Sequence, residues 1–261
     1  MTRLAWEFFR RDLLIDASSR FTLLLQLVNV GITMAGYVFL SRLVEKDSGE
    51  GYFTFVVVGM AASGAMLTSL NGLSRGLQLQ QPSGVLKPLF FSQTRPEVVV
   101  LLSSVYPLAR AAVDLVVYLT VGGLFGGLSL AGANLIGAAG VAGLGLVAFG
   151  SLGVWAAAFS VLFRWGNPFV WVIGSASWLL SGVLYPPALL PAPLRWAAGL
   201  FPLTHALDGL RAALLAGASF QELAVPALWL AGFSLLVAPL GLAVFNAGLT
   251  RTRINGTPVV G

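Results

Sequence analysis

The chain has 261 residues, 57% of them hydrophobic and 10% charged. Soluble domains carry about 25% charged residues, so this deficit excludes an ordinary soluble domain and marks a polytopic membrane protein. There is no cysteine, which excludes a disulfide framework, a thiolate metal site and a cysteine nucleophile.

The first twenty residues read as an amphipathic helix lying on the cytoplasmic membrane surface. At helical spacing Leu4, Trp6, Phe8, Phe9, Leu13 and Ile15 share a broad arc, with Arg3, Glu7, Arg10 and Arg11 opposite. The pattern is imperfect, because Asp12 and Asp16 fall on the apolar arc. The segment is not a signal peptide: its charges run through Asp16, and the apolar run that follows is long enough to span.

Six apolar segments follow, at 21–43, 52–70, 98–127, 134–163, 167–185 and 224–249. Each approaches or exceeds the ~20 residues needed to cross ~30 Å of hydrocarbon. With the N-terminus inside, ten of the Lys and Arg residues fall on the cytoplasmic side and four on the outside, while Arg110 lies within a span. Both termini are therefore expected in the cytoplasm. The net charge of +5 follows from this loop bias and is no footprint of nucleic acid.

The longest cytoplasmic connection, 71–97, is broken by Gly, Pro and Ser into two short pieces. Phe90 and Phe91 stand there in a polar setting rimmed by Arg75, Lys87 and Arg95, as expected of a docking surface for another protein. In the third span Arg110 and Asp114 are four residues apart, the spacing of a mutual ion pair. Pro107, one turn earlier, is placed to kink that span. The glycine-rich stretch 121–150, with Gly122 and Gly126 and with Gly123 and Gly127 at small-xxx-small spacing, predicts close helix packing.

From 186 to 223 the chain stays apolar but is broken by Pro186, Pro187, Pro191, Pro193 and Pro202. Two short helices fit between the breaks: APLRWAAGL, and LTHALDGLRAALLAG. Thr204 is the expected N-cap of the second, Asp208 and Arg211 stand at i,i+3, and Gly217 stops it. A hairpin that dips into the outer leaflet and returns satisfies both the apolarity and the breaks. His205 is the only histidine; alone it makes no metal site, and no catalytic set assembles around it.

The order of surface helix, two spans, basic loop, three spans, proline-broken return and last span resembles the membrane subunits of ABC-2-type exporters. The residues that carry the likeness are SGVLYPPALLPAPLRWAAGLFPLTHALDGLRAALLAG, 181–217, with RRDLLIDASSR, 10–20, and FRWGNPFVW, 163–171. The resemblance implies one all-α transmembrane domain over 1–261. It has six transmembrane helices, an interface helix over 1–20, a cytoplasmic coupling loop over 71–97 and an extracellular re-entrant hairpin over 186–223. It implies that Leu86, Lys87, Phe90, Phe91 and Arg95 contact the ATPase. It also implies that Tyr185, Pro186, Pro191, Pro202, His205, Asp208 and Arg211 build the outer gate. The implied partners are a nucleotide-binding subunit carrying ATP and Mg, a second membrane subunit (identical or paired) and membrane lipid. No cofactor is expected on this chain, and the implied location is the plasma membrane of a prokaryote. One step departs from the family: relatives carry a Gly-Thr-Leu-Glu-like sequence in the loop, whereas here Gly84-Val85-Leu86-Lys87 puts a base in place of the acid.

No G-x-x-x-x-G-K-[ST] phosphate loop can be drawn on either lysine, Lys46 or Lys87. An ATP-independent transporter or channel is the alternative. It needs several intramembrane ionisable groups or broken helices near mid-membrane, and only Arg110 and Asp114 qualify. The substrate expected of such apolar walls is amphipathic or lipid-linked: a drug, a glycolipid or a polysaccharide.

Overall fold

The computed structural model describes residue 10 and residues 20–48, 51–80, 96–126, 132–162 and 168–254. Over these the chain forms eight α-helices, one 3-10 turn and no strand. In chain order they are α1 (Arg20–Ser48), α2 (Tyr52–Gln80), α3 (Pro96–Gly126), α4 (Leu135–Leu162) and α5 (Pro168–Leu180). The turn Pro187–Leu189 follows, then α6 (Ala192–Ala198), α7 (Pro202–Leu215) and α8 (Phe220–Ile254). Four of them, α2, α3, α4 and α8, are long and apolar enough to cross a membrane. The surface helix expected over 1–20 lies, apart from Arg10, outside the described residues.

The core sits where α2, α4 and α7 meet. Met66 and Leu70 of α2, Phe149 of α4, and Leu207 and Leu210 of α7 are all fully buried there. In lipid, helices gain little from hiding apolar surface and associate instead by close packing at small residues. That rule is legible along α2 and α3, which lie antiparallel. Gly72 leaves room for the Pro107 ring, Gly64 lies against Tyr118, and Gly122 makes space for Val57. Between these contacts Thr68 donates a hydrogen bond to Asp114 at 3.1 Å. On the far side of the bundle Gly241 of α8 leaves space for the Trp155 ring of α4, whose indole N–H donates to the Val237 carbonyl at 3.0 Å.

Several boundaries differ from expectation; α1 runs to Ser48 rather than ending near 43, and α8 ends at Ile254 rather than near 249. α2 runs on to Gln80 rather than ending near residue 70. Its polar tail, from Asn71, contains no proline before Pro82, so nothing stops the helix when the apolarity does. Residues 71–80 of the expected coupling loop are thus helical, and 81–95 lie outside the described residues. α5 is shorter than the expected span 167–185: its 13 residues cover about 20 Å at 1.5 Å per residue, short of the ~30 Å of hydrocarbon. It stops because Gly182 takes φ +77, where a side chain would also strike the Pro187 ring and the Tyr185 carbonyl. α8 begins at Phe220, ahead of the expected 224. Glu222 accepts from the Ser219 backbone N–H at 2.7 Å and the Ser219 hydroxyl at 3.1 Å, a capping interaction at the helix start.

Candidate functional site at the 181–218 return

The return is built from short pieces fixed by backbone hydrogen bonds. Pro186 and Pro187 open the 3-10 turn, Pro191 precedes α6, and Pro202 sits in the first turn of α7, where a missing N–H costs nothing. Thr204 is not the cap of α7. Phe201 holds that position, and the Thr204 hydroxyl donates instead to the Ala198 carbonyl at 2.6 Å, tying α7 back to α6. At the other end of α7 Gly217 takes φ +61. It faces the Gly132 carbonyl so closely that no side chain fits. Asn134 seals the same corner. Its Oδ1 accepts from the Gly137 N–H at 2.9 Å, capping α4, and its Nδ2 donates to the Ala218 carbonyl at 2.9 Å.

Arg211 is the centre of the site. It does not pair with Asp208, as the i,i+3 spacing suggested. Its guanidinium donates to the carbonyls of Gly182 at 3.0 Å, Val183 at 3.1 Å and Phe55 at 3.1 Å. It also lies 3.4 Å from the centroid of the Phe55 ring. One side chain of α7 thereby holds the turn after α5 and the first turns of α2. Tyr52 adds a hydrogen bond from its hydroxyl to the Leu184 carbonyl at 3.1 Å, and the Tyr185 hydroxyl donates to the Leu179 carbonyl. Gly59 permits the approach, since a side chain there would meet the Val183 carbonyl. Burial pushes the Arg211 guanidinium down to about 10, with Asp208 acting in the opposite direction, so it stays cationic near neutral pH. Burial also raises the Asp208 carboxyl above its usual range, with His205 and Arg211 partly offsetting this.

His205 is held apart from that clamp. Its Nε2 lies 2.9 Å from the Gly199 carbonyl. Its ring stacks on Trp229 with centroids 4.0 Å apart, and Trp229 stacks on Phe233 at 5.3 Å. The histidine thus fastens α7 to α8. Among the described residues no group of three or more His, Asp or Glu is placed to hold a metal ion. Arg195 and Trp196 of α6 are exposed.

Arg110 and Asp114 stand far from the return, on α3. Arg110 Nε lies 3.2 Å from Asp114 Oδ1, and Thr68 of α2 donates to Oδ2. Thr68 was not singled out from the sequence; a lone threonine in an apolar helix carries no sign that it faces a carboxylate. Leu86, Lys87, Phe90, Phe91 and Arg95 lie outside the described residues.

A bundle of long apolar helices followed by a proline-broken return is the build of an integral multi-pass membrane protein. The chain belongs to the ABC-2 type transporter family, whose pattern it matches over residues 3–215. Members of that family are the membrane components of exporters; they generally work with an ATPase subunit and dimerise. No curated protein matches the chain.

Proposed function

We propose that this permease is the membrane-spanning subunit of an ATP-driven exporter that carries an amphipathic or lipid-linked molecule out of the cytoplasm or the inner leaflet. The observation that carries this reading is family membership over 3–215 in a chain without a phosphate-binding loop. Hydrolysis then falls to a separate nucleotide-binding subunit holding ATP and Mg, docked at 81–95 through Phe90 and Phe91. Two membrane subunits pair in the bilayer of a prokaryotic plasma membrane, with both termini cytoplasmic. Six crossings are made by α1 to α5 and α8, the fifth completed by the turn after α5. The segment 186–223 is a re-entrant hairpin at the outer face, and the Arg211 clamp closes the outer end of the substrate path.

The experiment is purification of the tagged permease from its native membranes, followed by identification of what comes with it. An associated protein with a Walker A motif, whose ATP hydrolysis in reconstituted vesicles depends on the permease, is the expected result. Transport in vesicles containing only the permease, driven by an ion gradient, would overturn the reading.

A further inference from the structure

Asn29 of α1 is exposed, and its carboxamide has no hydrogen-bond partner among the described residues. Thr33 and Thr120, which also face outward, are satisfied by their own helices. The Thr33 hydroxyl donates to the Asn29 backbone carbonyl at 2.8 Å, and the Thr120 hydroxyl donates to the Val116 and Val117 carbonyls at 2.9 Å. Nor can Asn29 reach the headgroups. It stands about 13 Å past Arg20 and about 20 Å short of Arg42 at 1.5 Å per residue, and its side chain is too short to snorkel as Lys and Arg do. A carboxamide left in hydrocarbon is costly, so a group from beyond this chain must meet it.

The residues around Asn29 form a seam with no occupant from this chain. Leu25, Asn29, Ile32, Gly36 and Phe39 are all exposed. They follow one another at alternating intervals of four and three, the a/d spacing of paired helices, and lie within roughly 80° of one another at about 100° per residue. The opposite side of α1 is taken, because Val30 and Met34 are fully buried with Phe53 and Val57 of α2. Gly36 supplies a separate observation. A side chain there would meet nothing within 4 Å, so the packing of this chain does not require a glycine. Glycine weakens a helix interior, and on an exposed face in lipid it is the residue that lets a second backbone come close.

We propose that this stripe is the contact between two copies of the chain, with the Asn29 carboxamide bonded to its counterpart in the second copy. Two copies inserted the same way round pair about an axis along the membrane normal, so α1 meets α1 in parallel and equal residue numbers meet at equal depth. Such a contact sets each residue against itself, which excludes charges, and none lies between Arg20 and Arg42. A carboxamide suits it, because it both donates and accepts and two can bond reciprocally. A lipid tail offers neither group. One asparagine in an otherwise apolar seam also fixes alignment and strand number, since any slip leaves both carboxamides unpaired. The contact rests on the proposed reading of α1 as a span and on the pairing of two membrane subunits; it does not rest on the substrate or the ATPase.

The test scans single cysteines through residues 25–39 of the full-length protein in its native membranes, followed by oxidation. Disulfide-linked dimers should peak at 25, 29, 32, 36 and 39 and fall between them, while Leu235→Cys, exposed on α8, should give little or none. The mass of the wild-type complex is measured alongside. A monomeric wild type overturns the pairing of subunits and this contact with it. A dimer whose scan lacks the four–three pattern overturns the contact alone, and the face then meets lipid, water or an unlike subunit. Asn29→Ala should raise the dimer dissociation constant in vesicles about three- to tenfold, the scale of one or two interhelical hydrogen bonds in a membrane, and Asn29→Gln should recover part of it. An unchanged constant in Asn29→Ala removes the carboxamide from the contact. Gly36→Leu has open space within its own chain, so it should leave the single subunit folded and abolish the dimer; a dimer that survives overturns the close approach.

Discussion

The guanidinium of Arg211 lies 3.4 Å from the centroid of the Phe55 ring and donates to the Phe55 backbone carbonyl at 3.1 Å. Residues 156 positions apart are thereby joined through both side chain and main chain. Arg211→Met should lower stability by about 2–3 kcal/mol, the scale of a hydrogen bond to a charged group, and should strongly impair transport. Arg211→Lys keeps the charge but loses the planar fork that reaches several carbonyls at once, so it should recover only part of both. Thermal unfolding in nanodiscs and a transport assay check this; a Lys variant equal to wild type would contradict it.

Asp208 should behave in the opposite way. Its folded carboxyl titrates above the ordinary value of 3.8 because burial penalises the charge. A raised carboxyl costs stability above the folded pKa, and that cost fades as pH falls through it and is gone below the unfolded value. Asp208→Asn should therefore be neutral or slightly stabilising at pH 7, with the difference from wild type shrinking toward pH 4. Neighbouring protein desolvates the carboxyl although part of the residue still reaches solvent, and that solvent screens the charge, so the effect is small. Paired melting curves across that range measure it, and a destabilised Asn variant at pH 7 would refute it.

The contact of Arg110 with Asp114, reinforced by Thr68, predicts a non-additive cycle. Asp114 is buried but Arg110 only half-buried, so removing one member costs less than the ~3–5 kcal/mol of a fully buried pair. Asp114→Ala should lower yield and Tm more than the double variant Arg110→Ala, Asp114→Ala. Additive losses would mean that the pair does not act as one.

The docking proposal for 81–95 predicts that Phe90→Ala with Phe91→Ala abolishes substrate-stimulated ATP hydrolysis while the permease still inserts. Unchanged hydrolysis together with unchanged recovery of the complex would remove these residues from the interface.

Membrane orientation can be read with single cysteines, since the chain has none of its own. Cysteines at Ala188, Ala192 and Ala216, all exposed, should react with an impermeant thiol reagent added outside, and one at Ser83 only from inside. Ala216 is chosen over Gly217, whose φ of +61 and contact with Gly132 leave no room for a side chain. Inside-only reaction at Ala216 would mean that the return crosses the bilayer.

Much of this architecture is legible in the sequence, because lipid imposes a blunt demand: backbone polar groups must be satisfied within a helix. Long apolar runs and proline clusters therefore place most elements within a few residues. The departures come where other forces decide. α2 outruns its apolar stretch because helix propensity, not hydrophobicity, governs where it ends. Its partner at the other extreme, α5, ends early on a glycine whose need for positive φ no pattern displays. The Ser219–Glu222 cap was visible as a Ser-x-x-Glu step and could have placed the start of α8. The role of Arg211 was hidden for a different reason: spacing points it to Asp208, and only the folded chain brings three backbone carbonyls within its reach.

One consequence follows from the length of α2. Its 29 residues extend about 43 Å at 1.5 Å per residue, and the Phe55 carbonyl gripped by Arg211 lies in its first turn. The opposite tip, Gln80, leads directly into 81–95. Val57, Gly64, Thr68 and Gly72 seat α2 against α3 at intervals over about half of that distance, which stiffens that part of the pair against bending. α2 is thus one unbroken helix that joins the proposed docking segment to the Arg211 clamp, so an axial displacement at Gln80 would be carried toward Phe55. There it would pull on the Gly182–Val183 turn through a single guanidinium.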